Sequence, residues 1–361
     1  MLHIKLDYTL TDTPNKKSQL ENPLFMLLAA IHRTGSISKA AQETGFSYRH
    51  VWGSLKKWEA VMGAELIVWK KGERARLTAF GEKLLFAEQR AKARVLPQLD
   101  NLVSEMEREF ALAFDENAHV ISLYASHDLA LNRFKDLLAG EAVHLNLHFQ
   151  GSLTALAALD QGKCMLAGFH VAQGSEPGSM AIKSFKKLLK PDRHSLIRFL
   201  VRQQGMMVSA GNPKRIQGIK DLKRGDIRFV NREKGSGTRL AIEQLLLQEG
   251  IAASLVNGFD QVETTHLAVA AAVACGQADA GFGIQAAAAQ FGLDFIPLMR
   301  EQYYFACLND TLHQPAIRKL IEMLKSNAWP QILDHMPGYD CESAGQIVSA
   351  NEFARSPHGT Q

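Results

Sequence analysis

Four short stretches gather hydroxyl residues, glycines and histidines where an apolar, β-rich run gives way to a helical one. They read Ser126-His127-Asp128, Gly151-Ser152, Gly235-Ser236-Gly237-Thr238-Arg239 and Thr264-Thr265-His266, and His170 ends a further such run. The first turn of a helix has unpaired N–H groups and carries the positive end of the helix dipole. Several helix starts converging on one point therefore make an anion site. Small hydroxyls add donors without blocking the approach of the backbone. A plain N-cap explains any one of these junctions. The whole set points to a site, because open α/β sheets place ligands at the carboxyl ends of their strands. GSGTR is the most site-like, since two glycines beside a hydroxyl exceed what a cap requires. It is not a P-loop, which needs a lysine after the glycine, nor is it G-x-G-x-x-G. The ligand-binding candidates are Ser126, His127, Gly151, Ser152, His170, Ser236, Gly237, Thr238, Arg239, Thr264, Thr265 and His266. Arg239 favours a carboxylate, provided that its side chain enters the cleft.

The histidines also raise a metal site and an enzyme. No H-x-x-x-H spacing or acidic partner supports a metal. His127 and Asp128 could serve as acid and base, but no nucleophile elbow or evident carboxylate pair accompanies them. The expectation is no catalytic residue, no metal and no cofactor, with the imidazoles as neutral donors to a ligand. An enzyme or carrier that holds a small anionic metabolite in the same cleft is the rival reading.

A second constellation lies in Thr34–Trp58, TGSISKAAQETGFSYRHVWGSLKKW. Ser36 suits the N-cap of one helix and Ser47 that of a second. Gly45 is the left-handed corner between them. Ala41 is small where the helices cross, and Val51, Leu55 and Trp58 form the inner face. This is helix-turn-helix patterning, with an ordinary helical hairpin as the alternative. The outward residues Ser36, Ser47, Tyr48, Arg49, Trp52, Lys56 and Lys57 are candidates for DNA, Arg49 for a guanine and the lysines for backbone. Trp52 could equally pack. LIVWKKGERARLT then reads as two strands joined by a basic loop, a wing carrying Lys70, Lys71, Arg74 and Arg76.

The charge distribution agrees. Arg33–Arg94 holds 13 Lys/Arg and 6 Asp/Glu, a surplus of 7, although the whole chain is only +4. A local basic patch of this kind is a footprint for phosphate. The 361 residues suit two or three domains, and 46% hydrophobic with 22% charged residues is ordinary for a globular chain. The four cysteines, Cys164, Cys275, Cys307 and Cys341, form no C-x-x-C pair and suit a reducing compartment. No apolar signal-peptide core and no run of 18 apolar residues is present, so the expected location is cytoplasmic.

The elements that must position these residues follow in order. HIKLDYTL alternates like a short strand. Asn22-Pro23 opens a support helix with Leu24, Leu27, Leu28 and Ile31 on one face. Thr78 caps a long helix whose Leu99, Leu102, Val103, Met106 and Phe110 step like a coiled-coil seam, which predicts a homodimer or a dimer of dimers on a two-fold DNA operator. Beyond Asp115-Glu116-Asn117 strands and helices alternate, the pattern of a parallel α/β sheet.

Residues 22 to about 80, with GSISKAAQETGFSYRHVWGSLKKWE and ARLTAFGEKLL, resemble the winged helix of ModE-type, LysR-like transcriptional regulators. The wing here is short and lacks the glycine-rich stretch common in that family. YASHDLAL, GSLTALAAL, AGFHV, FVNREKGSGTR, HLAVAAAVACGQADAGFGI and MPGYD resemble the periplasmic-binding-protein-like domain of molybdate-binding type. The resemblance implies a multidomain fold, an α-rich winged helix-turn-helix plus a two-lobed α/β domain. It implies a DNA-binding domain over 1–80, a linker or dimerisation helix over 81–114 and a ligand-binding domain over 115–361. Lobe 1 would take about 118–200 and 305–350, lobe 2 about 205–300, with crossings at MMVSAGNP and DFIPLMREQYYFACL. Regulators so built are associated with molybdenum metabolism and formate dehydrogenase genes. The implied effector is a molybdate- or tungstate-type oxyanion, or formate, with no enzyme activity and no membrane partner.

Overall fold

The structure, a computed structural model, describes residues 22–70, 73–115, 118–141, 143–174 and 179–355. The strand expected over residues 3–10, most of the expected linker and Lys71 lie outside them. The chain divides into two compact units, Met1–Leu96 and Pro97–Gln361.

In the first unit, α1 (Pro23–Thr34), α2 (Ile37–Thr44) and α3 (Tyr48–Met62) precede β1 (Ile67–Val68), β2 (Arg76–Leu77) and the start of α4 (Ala79–Phe114). The caps are local chemistry: Asn22 accepts from Leu24 N–H, Ser36 from Lys39 N–H and Ser47 from His50 N–H. Gly45 turns the corner at φ 72°, where a Cβ would be strained. The core is Leu27, Leu28, Ile31, Ala40, Val51, Leu55, Leu66 and Leu85. One carboxylate is buried beside it. Glu59 Oε1 accepts from the N–H groups of Leu66 and Ile67 at 2.9 and 3.4 Å, and Oε2 from Lys56 at 2.7 Å. This ties the end of α3 to the first wing strand. β1 and β2 pair antiparallel, Ile67 opposite Leu77 and Val68 opposite Arg76. The division between the units falls inside α4 at Pro97, a residue with no N–H to give the helix.

In the second unit the chain runs β3 (His119–Ala125), α5 (Leu129–Ala139), β4 (Val143–Phe149), α6 (Ser152–Asp160), β5 (Leu166–Ala172), α7 (Met180–Lys186) and β6 (His194–Val208). It continues through β7 (Phe229–Arg232), α8 (Gly237–Gln248), β8 (Val262–Glu263), α9 (His266–Ala274), β9 (Ala280–Ile284) and α10 (Gln285–Gln290). β10 (Asp294–Leu308) returns, followed by α11 (Pro315–Lys325), α12 (Ala328–Leu333), β11 (Tyr339–Asp340), β12 (Ile347–Ser349) and α13 (Ala350–Arg355). Strand order is β4-β3-β5-β10-β6-β9-β7-β8 among the described residues. β3 is parallel to β4 and β5, and β7 to β8 and β9. The two long strands are antiparallel from Asp294 opposite Val208 to Leu308 opposite His194, and each serves both ends of the sheet. Two α/β lobes result, with separate cores. Leu123, Phe134, Phe199 and Trp329 mark one, and Phe229, Ile242, Leu246 and Phe282 the other.

Two readings of the sequence need correction. The first crossing is not MMVSAGNP but the whole of β6, beginning at His194. Arg198, Arg202, Gln203 and Gln204 interrupt its apolar pattern, because the middle of the strand carries polar side chains into the interior. The last long helix breaks near Ser326 into α11 and α12.

The second half of α4 guards the edge of the sheet. Asn101 Oδ1 accepts from Phe149 N–H at 2.6 Å and Ser104 Oγ from Leu147 N–H at 2.8 Å. Edge strand β4 thus has two of its N–H groups covered by side chains. No helix among the described residues is long and apolar enough to cross a membrane.

Candidate functional site

Where the long strands pass between the lobes, the interior is polar. Arg202, at the middle of β6, is 1% exposed. Its Nη1 donates to Asp128 Oδ2 at 2.5 Å and its Nε to Glu301 Oε2 at 3.0 Å, while Nη2 has no partner. Asp128 caps α5 through Ala130 N–H, and its Oδ1 also accepts from Tyr339 O–H at 3.0 Å. Glu301 Oε2 accepts from Gln204 at 2.5 Å, and Gln204 donates as well to Thr238 Oγ1 at 3.1 Å. One chain of polar contacts therefore runs from lobe 1 through both crossing strands to the first turn of α8.

Arg232, the last residue of β7, is 3% exposed. Its Nη2 donates to the Thr264 carbonyl at 2.9 Å, and its Nε has no partner. Among the described residues no carboxylate forms an ion pair with it. Burial pushes its pKa down to about 10, with Glu233 opposing and Arg202 adding to the fall. A buried guanidinium with an unpartnered N–H and no ion-paired carboxylate has the chemistry to hold an anion.

Three imidazoles share this environment. His170 Nδ1 lies 3.2 Å from Ser126 Oγ, and its unpartnered Nε2 is 3.9 Å from Glu301 Oε1. His127 packs against Phe149, ring centroids 4.8 Å apart. His266 opens α9 with Nδ1 unpartnered. Burial lowers all three pKa values, His127 to about 4 and the others well down, and the charges of Arg202 and Arg232 push the same way. The rings are therefore neutral, each able to donate one hydrogen bond. Burial raises Glu301, against the pull of Arg202. Ser152, at the start of α6, is buried with its Oγ unpartnered. A cavity of about 170 Å³ adjoins the cluster, lined by His170, Gly237, Leu240, Ala241, Met299 and Glu301 among others.

Of the residues singled out in the sequence, Ser126, His127, Ser152, His170, Thr238 and His266 meet here. Gly151 and Gly237 let the lobes approach. A Cβ on Gly151 would lie 3.4 Å from the Gly235 carbonyl, and one on Gly237 2.5 Å from His170 Nε2. Thr265 caps α9 by accepting from Ala268 N–H.

Three do not point into the cleft. Arg239 turns away: Nε donates to Glu243 at 2.6 Å, Nη1 to the Phe259 carbonyl at 3.1 Å, and the guanidinium lies 4.0 Å from the Phe259 ring. Ser236 has its hydroxyl occupied, accepting from Arg239 N–H and donating to the Glu233 carbonyl. Thr264 is exposed and offers Arg232 its carbonyl. The sequence reading missed Arg202, Gln204, Arg232, Glu301 and Tyr339. Only Arg232 carried a signal, an arginine at the carboxyl end of a strand before a glycine-rich turn.

On the first unit, Tyr48, Arg49, Lys56 and Lys57 are exposed along α3, as are Lys70, Arg74 and Arg76 on the wing. Arg74 lies over the α1–α2 turn, its Nε 2.8 Å from where a Gly35 Cβ would be. Ser36 and Ser47 use their hydroxyls as caps. Lys56 pairs with Glu59 and lies 5.1 Å from the Trp52 ring centroid.

A winged helix-turn-helix joined to a two-lobed α/β domain with a polar cleft is the layout of a LysR-type transcriptional regulator, a class that is not enzymatic. The chain belongs to the PBP superfamily, matched over residues 135–325, and its residues 24–82 match the bacterial regulatory helix-turn-helix protein, lysR family. It is 38% identical over 200 residues to the uncharacterized protein YvgK of Bacillus subtilis (strain 168), covering 55% of this chain and 64% of YvgK. It is 38% identical over 104 residues to the molybdenum-pterin-binding protein MopB of Rhodobacter capsulatus, covering 28% of this chain and 37% of MopB. The crystal structure of full-length BenM aligns with 88% of this chain and 97% of its own at 16% identity, with a TM-score of 0.42.

Proposed function

We propose that this chain is a cytoplasmic, ligand-responsive transcriptional regulator whose α/β domain senses a small anion. The DNA-binding domain is taken as 1–80, the dimerisation helix as 81–114 and the ligand domain as 115–361. Arg232 carries the reading. Its guanidinium is buried without a carboxylate, and Arg202, Ser152 and His170 also have unpartnered polar atoms in the interior. The unpartnered arginine N–H groups, with Gln204 Oε1 as the unpartnered acceptor beside them, favour an oxygen-rich anion as the ligand. Ser126, His127, Gly151, Gly237, Thr238 and His266 complete the proposed contact set. Ser236, Arg239, Thr264 and Thr265 support it from behind.

A molybdate- or tungstate-type tetrahedral oxyanion fits this set, as does formate. Likeness to MopB supports the first and, with it, control of molybdenum or formate dehydrogenase genes. The number of separate donors also supports it, since four oxygens use them better than two. Exposed Leu102, Phe110 and Phe114 on α4 support dimerisation, at 53%, 45% and 92% exposure. Two half-sites on an operator would then be read by two copies of α3, with Ser47 at its start and Tyr48, Arg49, Trp52, Lys56 and Lys57 along it, Ser36 at the start of α2, and Lys70, Lys71, Arg74 and Arg76 on the wing.

Thermal shift of the full chain against molybdate, tungstate, sulfate, phosphate and formate tests the reading. A shift with at least one, lost in Arg232→Met, is expected. No shift with any of them overturns the anion reading.

A further inference from the structure

The first unit carries an aromatic pair that the proposed phosphate and guanine contacts leave unused. Trp52, one turn beyond Arg49 on α3, is half-buried and packs against the edge of the first unit's core. Trp69 directly follows β1 and is 41% exposed. Their ring centroids are 5.6 Å apart at an interplanar angle of 69°, an edge-to-face contact. Lys56 also sits over the Trp52 ring. Val68, next to Trp69, is 50% exposed and stands opposite Arg76 in the wing. Beside Trp52, Gly53 is open, with nothing within 4 Å of where a Cβ would be.

An indole exposed among cations is an unusual surface. Solvent favours the lysines and arginines there but not the ring or the valine. A partner that suits both must offer negative charge at its rim and apolar groups within. Duplex DNA does: phosphates border each groove, and thymine C5-methyl groups stand in the major groove. Arg49, Lys57, Lys70 and Arg76 form no ion pair among the described residues, so they remain available to those phosphates.

We propose that Trp69, held in place by Trp52, reads thymine by packing against its C5-methyl group beside the recognition helix. The wing then contributes to sequence choice as well as to backbone affinity. The inference rests on the DNA-binding reading of α3. It explains why two of the protein's four tryptophans meet on this face. A phosphate-only wing has no use for an indole, whereas a methyl-reading one needs a flat apolar side chain with a fixed orientation.

The test uses the full chain and a duplex that it selects from a random pool. Each thymine is then replaced singly by uracil, which removes the methyl group and nothing else. One or two positions are expected to lose five- to tenfold in affinity. Trp69→Ala should bind the thymine duplex as weakly as the wild type binds those uracil duplexes, and should not distinguish the two bases there. Arg49→Ala should weaken binding while keeping the methyl effect. The dependence of affinity on salt should be unchanged in Trp69→Ala, since no phosphate contact is removed. An unchanged thermal midpoint of Trp69→Ala shows that its exposed ring does not maintain the fold. Indifference of the wild type to every uracil, or full methyl sensitivity in Trp69→Ala, overturns the assignment. Failure to select any duplex overturns the DNA-binding reading as well.

Discussion

Gly237 and His170 face each other across the cleft with no room for a methyl group, since a Cβ on Gly237 would lie 2.5 Å from His170 Nε2. Gly237 belongs to lobe 2 and His170 to lobe 1, so this contact exists only while the lobes are closed. Gly237→Ala should hold them apart. Backbone strain is not the cause, because Gly237 lies outside the left-handed region. Anion affinity should fall at least tenfold, about 1.4 kcal/mol. Gly151→Ala is the comparison, since both alanine variants keep the backbone N–H of the proposed contact set: its Cβ would meet the Gly235 carbonyl at 3.4 Å, close to ordinary contact. Calorimetric titration of both variants checks this, and equal losses would remove the closure argument.

Arg232 should behave as a residue kept for binding at the expense of stability. Burial pulls its pKa below the ordinary arginine value, down to about 10, so keeping it charged in the interior counts against the folded state. Arg232→Met removes that penalty and loses one hydrogen bond, to the carbonyl of exposed Thr264. The unliganded variant should therefore melt higher than the wild type, and the anion-induced shift should vanish. A lower melting point would mean that the guanidinium is structural. Differential scanning calorimetry with and without anion separates the two.

The two arginines show what sequence alone could deliver. The caps of the first unit were legible because Ser36, Gly45 and Ser47 act on residues three or four positions away. GSGTR was legible for the same reason, and it drew attention to Arg239. Helical geometry then turned that side chain back onto Phe259 and Glu243 and left Arg232, four residues before Ser236, as the buried arginine with no ion-paired carboxylate among the described residues. Arg202 and Glu301 were not legible at all. They meet only because two 15-residue strands pair antiparallel across the sheet, and no local pattern announces a contact between residues 99 apart. The α/β character was readable from alternating strands and helices and the two lobes only from the resemblance, while the polar centre of β6 hid the strand that joins them.

The buried histidines make stability depend on pH. Burial holds His127 neutral with a pKa of about 4 in the folded protein, against about 6.5 when unfolded. Protons then bind the unfolded chain preferentially, so stability is complete above about pH 6.5 and is lost as pH falls towards 4. Between pH 6.5 and 5.5 His127 alone removes about 1 kcal/mol. His170 and His266 act in the same direction. Glu301, raised by burial, acts in the opposite direction and offsets part of the loss. Urea midpoints measured across this range should fall with acidification. His127→Gln should fall less steeply and Glu301→Gln more steeply, and parallel curves for all three would refute this origin.

Glu59 should matter more to the wing than its place on a polar helix suggests. Burial pushes its pKa up, but Lys56 and the N–H groups of Leu66 and Ile67 outweigh that and hold it below the ordinary carboxylate range. Those two N–H groups, at the entry to β1, are buried and donate to Glu59. Glu59→Ala leaves both unsatisfied, a cost of about 1–3 kcal/mol for each buried group. Glu59→Gln keeps an acceptor oxygen in reach and should recover much of the loss, whereas a role in charge alone would make the two variants equivalent. Because Glu59 anchors β1, the same substitution loosens Trp69 and Lys70, which follow it directly. Hydrogen exchange should therefore speed up at Leu66 and Ile67 in Glu59→Ala, with exchange in α9 unchanged. DNA affinity should fall together with that local protection, and an alanine variant whose wing remains protected would show that the strand is held by its apolar packing instead.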